Sequence, residues 1–588
     1  MTNDDRAVIL LVHADTPAGA ELTDQVAAYF GGRYRVLRAA DRADAELTLA
    51  SLRRDGVRVA AVLADERFEE DSGAEFLTEP ALDLPEKGRV LLAEEPERAV
   101  AVRDMDVRVA PREPEAPEDL LDTVEDVLFD TRDITAPSAI VYGDRNEETF
   151  FTVHRFLRLN FVTCKTQPKT EDAKVRVELT VGGKPRPFTD PALLDLANAL
   201  GLVTYKESTN YDLVVVGGGP AGMSAALNAA ALFKLKVLIV EKFAPGGEAG
   251  TAINLIENYL GFPDGIQPYE LAHLWKKQLD KPRFKDDIHW LPCHSVSKMD
   301  WEKTTPPVYT LTFAANTKNR DIGTTVKTKM VLVTIGVKPK RLDPGTKAQD
   351  FEWKGVYYDA LPSDYTLYDA KTDRVAIVGG GDTAGRAAVM FAMDKKDDKG
   401  NTISGIPVDM IIRGKYGADM LKDVQDAISP LVQSGKIKIR DDNEVKLVTQ
   451  PQAGKLRLTF TKSTDTLDVS ALYVLIGGQA DTRWLADAWV KLTEEGPNKG
   501  CVKTGKEAGH EKSTMESTLP GVFAAGDVRD GAVRRISAAV GEGGAAAISI
   551  YNYTKSLQGR SLNYEDDEDS PTRIYYSLSD DGSAGDDG

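Results

Sequence analysis

Cysteine is scarce, with three residues in 588, at Cys164, Cys293 and Cys501. Their wide spacing excludes a CxxC pair and a dense disulfide framework, and fits a reducing cytoplasm. The six histidines show no ligand spacing, so no metal site is expected. Positive charge is in deficit: 73 Lys and Arg stand against 92 Asp and Glu, a net charge of −19. That balance argues against nucleic acid or an anionic membrane surface as a partner. No apolar run approaches the ~18 residues of a membrane span. The opening MTNDDRAVILLVHADTP has no basic stretch followed by an apolar core, so no signal peptide is expected. The rest is an ordinary globular composition, 42% hydrophobic and 28% charged, long enough for about three to four domains.

Glycine is placed where it carries chemistry. YDLVVVGGGPAGMSAALNAAALFKLKVLIVE runs from Tyr211 to Glu241. The apolar run from Leu213 to Val216 reads as a buried strand, and Gly217, Gly219 and Gly222 follow in G-x-G-x-x-G spacing. Gly217 permits the tight turn, Gly219 lets the backbone approach a pyrophosphate, and Gly222 lets the helix pack close to the sheet. The N-terminus of that helix presents unpaired N–H groups to phosphate. Glu241 ends a second strand about 20 residues on, where a carboxylate can accept from a ribose. A second fingerprint, RVAIVGGGDTAGRAA over Arg374 to Ala388, offers Gly379, Gly381 and Ala384 in the same setting.

Other motifs follow in order: APGGEAG (Ala244 to Gly250), INLIENYLGFP (Ile253 to Pro263), VLVTIGVKPKRL (Val331 to Leu342), YVLIGGQADT (Tyr473 to Thr482) and PGVFAAGDVRD (Pro520 to Asp530). Together they resemble the low-molecular-weight thioredoxin reductase family over some 350 residues. The resemblance implies an FAD domain in two pieces, 208–350 and 478–556, with an NAD(P) domain, 351–477, inserted between them. It implies FAD contacts at Gly217, Gly219, Pro220, Ala221, Gly222, Glu241, Lys242, Gly246, Gly247, Glu248, Asn258, Thr334, Gly336, Gly526, Asp527, Arg534, Arg535 and Ile536. For the nicotinamide nucleotide it implies Gly379, Gly381, Asp382, Thr383, Ala384, Arg413, Lys415, Ile476 and Gly477. In this reading Asp527 bonds the ribityl chain. The helix after Arg534 points its positive end at the flavin, and Arg535, where the family has Gln, adds to that charge.

The resemblance breaks at the catalytic dithiol. The family places CxxC shortly before the second fingerprint; here Asp359, Ala360, Leu361 and Pro362 stand in that place, and none can do thiolate chemistry. No catalytic side chain is therefore assigned. The phosphate-binding HRRxxxR segment is also thinned, to Arg413 and Lys415 within MIIRGKYGADM. NADPH is favoured only slightly, with NADH as the alternative. The segment DKKDDKGNTISGIP, Asp394 to Pro407, reads as an extended loop.

Residues 1–133 alternate strand-like runs (Val8–Val12, Val59–Leu63, Arg89–Leu92, Val107–Val109) with helical ones (Glu21–Phe30, Ala45–Arg54, Glu118–Leu128). This is a doubly wound α/β pattern that resembles a response-regulator receiver, with Asp65 at the acceptor position. The first strand ends His13-Ala14-Asp15, and Ala93 and Ala110 stand where a hydroxyl and a lysine are expected. A pseudo-receiver used for packing or dimerisation is favoured over phosphorylation at Asp65.

Residues 137–205 read β-α-β-β-β-α, with a hairpin at Gly182-Gly183 and a helix opened by Asp190 and Pro191. They resemble a thioredoxin- or glutaredoxin-like adaptor without its redox cysteines, and Cys164 reads as a buried structural residue. The fold class expected is α/β throughout: two Rossmann-like dinucleotide domains preceded by a receiver-like and a thioredoxin-like domain. Residues 557–588 form an acidic extension whose Tyr575 and Tyr576 are candidates for covering the flavin, as in thioredoxin reductase-like ferredoxin–NADP⁺ reductases.

The leading expectation is a cytoplasmic, homodimeric FAD-dependent NAD(P)H oxidoreductase passing electrons to an unidentified external acceptor. The alternatives are a flavin-based sensor or scaffold and a ferredoxin–NADP reductase-like enzyme. A thioredoxin–disulfide reductase using some other cysteine pair is the weakest.

Overall fold

The structure, a computed structural model, describes residues 7–557 except 31–33, 69–70, 83, 86–87, 94–106, 112–119, 121–123, 125–136, 170–173, 182–183, 316–324, 397–401 and 510–513. The chain divides into two compact units, Met1–Ala136 with Asp280–Lys285, and Pro137–Leu279 with Asp286–Gly588.

The first unit is built on a five-stranded parallel sheet in the order Arg35–Ala39, Val8–Val12, Val59–Asp65, Arg89–Ala93, Val107–Pro111. Every residue of Val8–Val12 is buried, as a central parallel strand covered on both faces requires. The strand Arg35–Ala39 was not foreseen, because RVLRA at the sheet edge carries two arginines and no apolar run. The helices begin earlier than expected, at Pro17–Phe30 and Arg42–Arg54, the second capped by Asp41 accepting from Asp44 N at 2.8 Å. The short helix Gly73–Thr78 was missed. Of the helix expected over Glu118–Leu128, only Leu120 and Val124 are described, and both are buried in the core.

In the second unit, residues 137–205 form a four-stranded sheet in the order Lys184–Thr189, Arg176–Val181, Ser138–Tyr142, Thr163–Gln167. Only the last pair is parallel. The helix Glu148–Leu159 buries Phe150, Phe151, Val153, Phe156 and Leu157. The second helix starts at Leu193, with Ala192 at its N-cap and Asp190 and Pro191 outside it. Asp190 has φ +48°, which ends the preceding strand and is incompatible with the helix start read from the sequence. Cys164 is half-buried, not buried, on the edge strand Thr163–Gln167.

His154, on the helix, stacks on Phe150 and is buried. Burial first, then Arg158 and Arg155, push its pKa down from 6.5 to about 4. The unfolded chain therefore binds a proton that the folded one refuses. The stability from keeping His154 neutral is complete above pH 6.5 and declines as pH falls toward 4, by about 3 kcal/mol in all. Urea unfolding at pH 7.5 and 4.5 is expected to show this step in the wild type and to lose it in His154→Gln. An equal step in the variant would contradict the assignment.

The remaining residues build two further parallel sheets. One runs in the order Ile288–Pro292, Val237–Glu241, Leu213–Val216, Met330–Val333, Val522–Ala524. The other runs Val356–Tyr357, Ala471–Val474, Val375–Val378, Val408–Ile411, Ile437–Arg440. Each has a three-stranded antiparallel layer beside it in sequence: His294–Glu302 with Val308–Ala315 and Thr325–Thr328, and Val445–Gln452 with Lys455–Phe460 and Thr466–Val469. The chain passes between the two sheet domains through an antiparallel ribbon, Lys338–Pro339 with Gly478–Gln479. The segment Asp394–Pro407 is not simply a loop, since Lys395–Lys396 pairs with Thr402–Ile403.

Candidate functional site

The first fingerprint is a cradle of main chain. Gly217 has φ +112°, and a Cβ there would lie 2.4 Å from Thr334 O. A Cβ on Gly222 would lie 2.0 Å from Gly217 O, so the helix could not approach the turn. A Cβ on Gly219 would meet nothing within 4 Å, leaving the open space a phosphate group needs. Gly219 is the N-cap of the helix Pro220–Phe233, which Pro220 and Ala221 open.

Glu241 accepts from Gly218 N at 2.7 Å and from Phe243 N at 2.8 Å. Burial raises its pKa, and these main-chain donors oppose the rise. Its oxygens thus brace the cradle, and a ribose there would use their remaining lone pairs. Lys242 beside it is exposed.

Three distant segments close on this cradle. Gly246 and Gly247 have positive φ, and Gly246 N donates to Gly218 O at 2.8 Å. Thr334 Oγ1 donates to Gly217 O at 2.9 Å, just before Gly336 at φ +59°. Gly526, at φ +74°, sits so close that its Cβ would lie 3.0 Å from that of Ala221. Gly526 N donates to Glu542 at 2.8 Å, and Arg529 pairs with the same carboxylate. The long helix Ile536–Leu557 crosses the fingerprint helix at Gly543, where a Cβ would be 2.3 Å from Ala221 O.

Asp527 and Glu248 are both raised by burial; Asp527 adds to the rise at Glu248, and Arg534 opposes both. These three charges therefore share one neighbourhood. Arg534 and Arg535 are exposed immediately before that helix. Asn258 lies on an exposed loop two residues after Ile256, which packs with Ile536.

The second fingerprint repeats the cradle. Gly379 has φ +147°, and a Cβ there would lie 2.3 Å from Leu475 O and 2.9 Å from Ala384 Cβ. Around Gly381 the nearest atom to a Cβ would be Asp419 O at 3.8 Å, so this middle position is open as well. Gly381 caps the helix Asp382–Ala392, with Thr383 exposed in its first turn. Asp382 is committed to the structure, accepting from Leu421 N at 2.7 Å. Ile476 and Gly477 follow the strand Ala471–Val474, and Gly477 O accepts from Lys340 N at 2.9 Å. Arg413 is exposed. Lys415 is already paired with Asp442, and with Asp441 at 3.7 Å, which weakens it as the second phosphate cation.

At the position assigned to the dithiol, Ala360 and Leu361 are buried. Asp359 pairs with Arg155 at 2.8 Å, and Arg155 also reaches Asp364 at 3.2 Å. Burial raises the pKa of Asp364, and Arg155 offsets part of that rise. This ion cluster, and the bidentate pair of Arg145 with Asp373 at 2.7 Å, were not found from the sequence.

All three thiols are free. Burial pushes Cys164 and Cys293 up to about 12 and raises Cys501 too. None is a ready thiolate at neutral pH.

Two open glycine cradles on two parallel sheets of one unit define a two-dinucleotide oxidoreductase scaffold. Residues 211–543 match the family model described as "Pyridine nucleotide-disulphide oxidoreductase", and the chain belongs to that family. Within it the chain is thioredoxin reductase-like. It is 27% identical over 417 residues to "Thioredoxin reductase 1, mitochondrial" of Arabidopsis thaliana, covering 68% of this chain and 100% of that protein. It is 30% identical over 359 residues to the "Ferredoxin--NADP reductase" of Sulfurisphaera tokodaii, covering 58% of this chain and 92% of that protein. Among solved structures it resembles T. acidophilum thioredoxin reductase, at 24% identity and a TM-score of 0.46, over 59% of this chain and 99% of that one. Members of this family use FAD and NADPH.

Proposed function

We propose that the chain is an FAD-dependent NAD(P)H oxidoreductase that delivers electrons to an acceptor outside the chain without a thiol pair of its own. One observation carries this reading. Two open cradles lie in one unit, while the position assigned to the dithiol is filled by Asp359, Ala360, Leu361 and Pro362, two of them buried. The residues present fit both cofactors. Gly217, Gly219 and Gly222 with the N-terminus of Pro220–Phe233 would hold the FAD pyrophosphate, and Asp527 the ribityl chain. Gly379 and Gly381 with the N-terminus of Asp382–Ala392 would hold the nicotinamide nucleotide. When bound, FAD supplies the hydride-accepting and electron-releasing chemistry. The chain's part is to orient the two nucleotides, exclude water, and set positive charge at Arg534 beside Asp527 and Glu248. Arg413 is the exposed cation available to a 2′-phosphate, which supports NADPH over NADH.

The ferredoxin–NADP reductase relative supports a second reading of the acceptor, a one-electron carrier protein in place of a disulfide. Tyr575 and Tyr576, which that reading would place over the flavin, lie outside the described residues. We read residues 137–205 as a thioredoxin-like adaptor without redox cysteines. We read the first unit as a receiver-like domain without phosphoryl transfer. Asp65 is 3% exposed, Ala93 and Ala110 are buried, and Asp15 points outward to pair with Arg38 at 3.0 Å. We read the chain as cytoplasmic, in keeping with its three free thiols, and as a homodimer. Among the described residues no helix is long and apolar enough to cross a membrane.

Anaerobic titration tests the enzyme reading. NADPH is expected to bleach the flavin band within seconds, with NADH slower. Absence of bleaching with either nucleotide would overturn the enzyme and leave the flavin as a sensor. Steady-state turnover with an iron–sulfur carrier and with a disulfide substrate then separates the acceptors.

A further inference from the structure

Beside the two cradles, the second unit contains an ion cluster centred on a buried arginine; one of its carboxylates, Asp359, is partly exposed and adds to the burial that raises the pKa of Glu248 near the first cradle. Arg155 lies on the helix Glu148–Leu159 with its side chain 3% exposed. It faces Asp359 and Asp364, both from the segment leading into the second fingerprint. Asp364 also accepts from Leu361 N at 2.9 Å and lies 3.5 Å from Tyr473 Oη, in the strand Ala471–Val474 beside the fingerprint strand. Arg145, just before the helix, grips Asp373 through both oxygens and lies over the Tyr368 ring at 4.9 Å. Phe151 stacks on Tyr357 with ring centroids 4.0 Å apart. One side of residues 137–205 is thus fastened to the second sheet domain.

The same residues hold the first sheet domain. Phe156 meets Phe243 edge-on at 5.7 Å, and Trp290 N donates to Thr204 Oγ1 at 2.7 Å. Leu159, Ala244 and Leu361 form one buried cluster with a residue from each of the three modules. Ala244 lies two residues before Gly246 of the first cradle, and Leu361 two residues after Asp359. The chain itself crosses between the sheet domains only through the ribbon Lys338–Pro339 with Gly478–Gln479. A two-stranded ribbon is a hinge, and a third body fastened to both sides of a hinge selects one angle. A buried arginine between two carboxylates resists opening, because separation leaves uncompensated buried charge.

We propose that Arg155 is a positioning residue for electron transfer between the two nucleotides: through Asp359 and Asp364 it holds the second sheet domain at a fixed angle to the first. This rests on the oxidoreductase reading above. Hydride transfer requires the donor and acceptor atoms within about 3–3.5 Å, so freedom at the hinge directly lowers the fraction of reactive complexes.

The test uses the full, flavin-loaded chain. Spin labels on Gln278→Cys and Gln433→Cys, both exposed and one on each sheet domain, report the interdomain distance by pulsed electron resonance. Wild type is expected to give one narrow distance. Arg155→Met/Asp364→Asn removes a charge from each side and leaves only Asp359 without its arginine, a side chain 34% exposed, so no fully buried ion is stranded as it would be by a single change. It is expected to broaden or split the distance and to slow single-turnover flavin reduction at saturating NADPH by at least about 10-fold. Arg155→Lys, which keeps the charge, is expected to recover most of both. A double variant with one narrow distance, or one that is broadened yet reduced at the wild-type rate, overturns the proposal. If wild type is not reduced by nicotinamide nucleotide at all, the enzyme reading fails. The distance measurement, which needs no turnover, still decides whether Arg155 fixes the domains.

Discussion

Gly222→Val is expected to give a chain that purifies without flavin. A Cβ at this position would lie 2.0 Å from Gly217 O, 2.7 Å from Thr334 Oγ1 and 3.1 Å from Val215 Cγ1. The first is main chain of the cradle itself, and Thr334 Oγ1 is held in place by bonds to Gly217 O and Val216 O. Neither can rotate away. The helix Pro220–Phe233 must therefore move outward, taking its N–H groups from the phosphates and disturbing Gly526, which rests on Ala221. Loss of at least about 100-fold in flavin affinity, ~2.7 kcal/mol, is the expected minimum. The check is the ratio of absorbance at 450 to 280 nm after gel filtration, with reconstitution by added FAD. The second sheet domain shares none of these contacts, so nucleotide binding measured by calorimetry is expected to survive. Stoichiometric flavin in Gly222→Val would remove the first fingerprint as the FAD site.

The cradle was legible in the sequence because its logic is local. Gly217, Gly219 and Gly222 sit within one turn of chain, and the strand before them and helix after them are marked by short-range patterns. The same holds for Gly379, Gly381 and Ala384. What escaped reading depends on partners far along the chain. Arg155 and Asp364 are 209 residues apart, and nothing near either one marks it as half of a buried pair. Arg529, given no role from the sequence, steadies Glu542, which holds Gly526 N. Lys415 looked available to a phosphate, and only the fold brings Asp442 onto it. Element boundaries failed for a different reason. The strand Arg35–Ala39 takes its stability from pairing with Val8–Val12, not from its own apolar content. The helix expected at Asp190 begins at Leu193, because Asp190 is used in a left-handed turn. Residues 137–205, expected to form an adaptor domain, lie in one compact unit with both of the later parallel sheets. That joining is invisible in the module's own sequence, because it rests on contacts such as that of Arg155 with Asp364, 209 residues away.

Gly379→Val is expected to separate the two cradles chemically: flavin retained, nucleotide reduction lost. The residue has φ +147°, a conformation that a β-branched side chain does not adopt without strain. A Cβ would also lie 2.3 Å from Leu475 O, in the strand-end main chain that leads to Ile476 and Gly477. The turn must open, and with it the main-chain pocket at Gly381 and the N-terminus of Asp382–Ala392. The FAD cradle makes its own contacts through Thr334, Gly246 and Gly526, none of which passes through Gly379. The 450 nm band is therefore expected at full stoichiometry, and dithionite is expected to bleach it as in wild type. Stopped-flow reduction by NADPH is expected to slow by at least about 100-fold, equivalent to ~2.7 kcal/mol of lost transition-state binding. If Gly379→Val is reduced by NADPH at the wild-type rate, the nicotinamide does not enter through the second fingerprint. The path of electrons into the flavin would then have to be sought elsewhere in this chain.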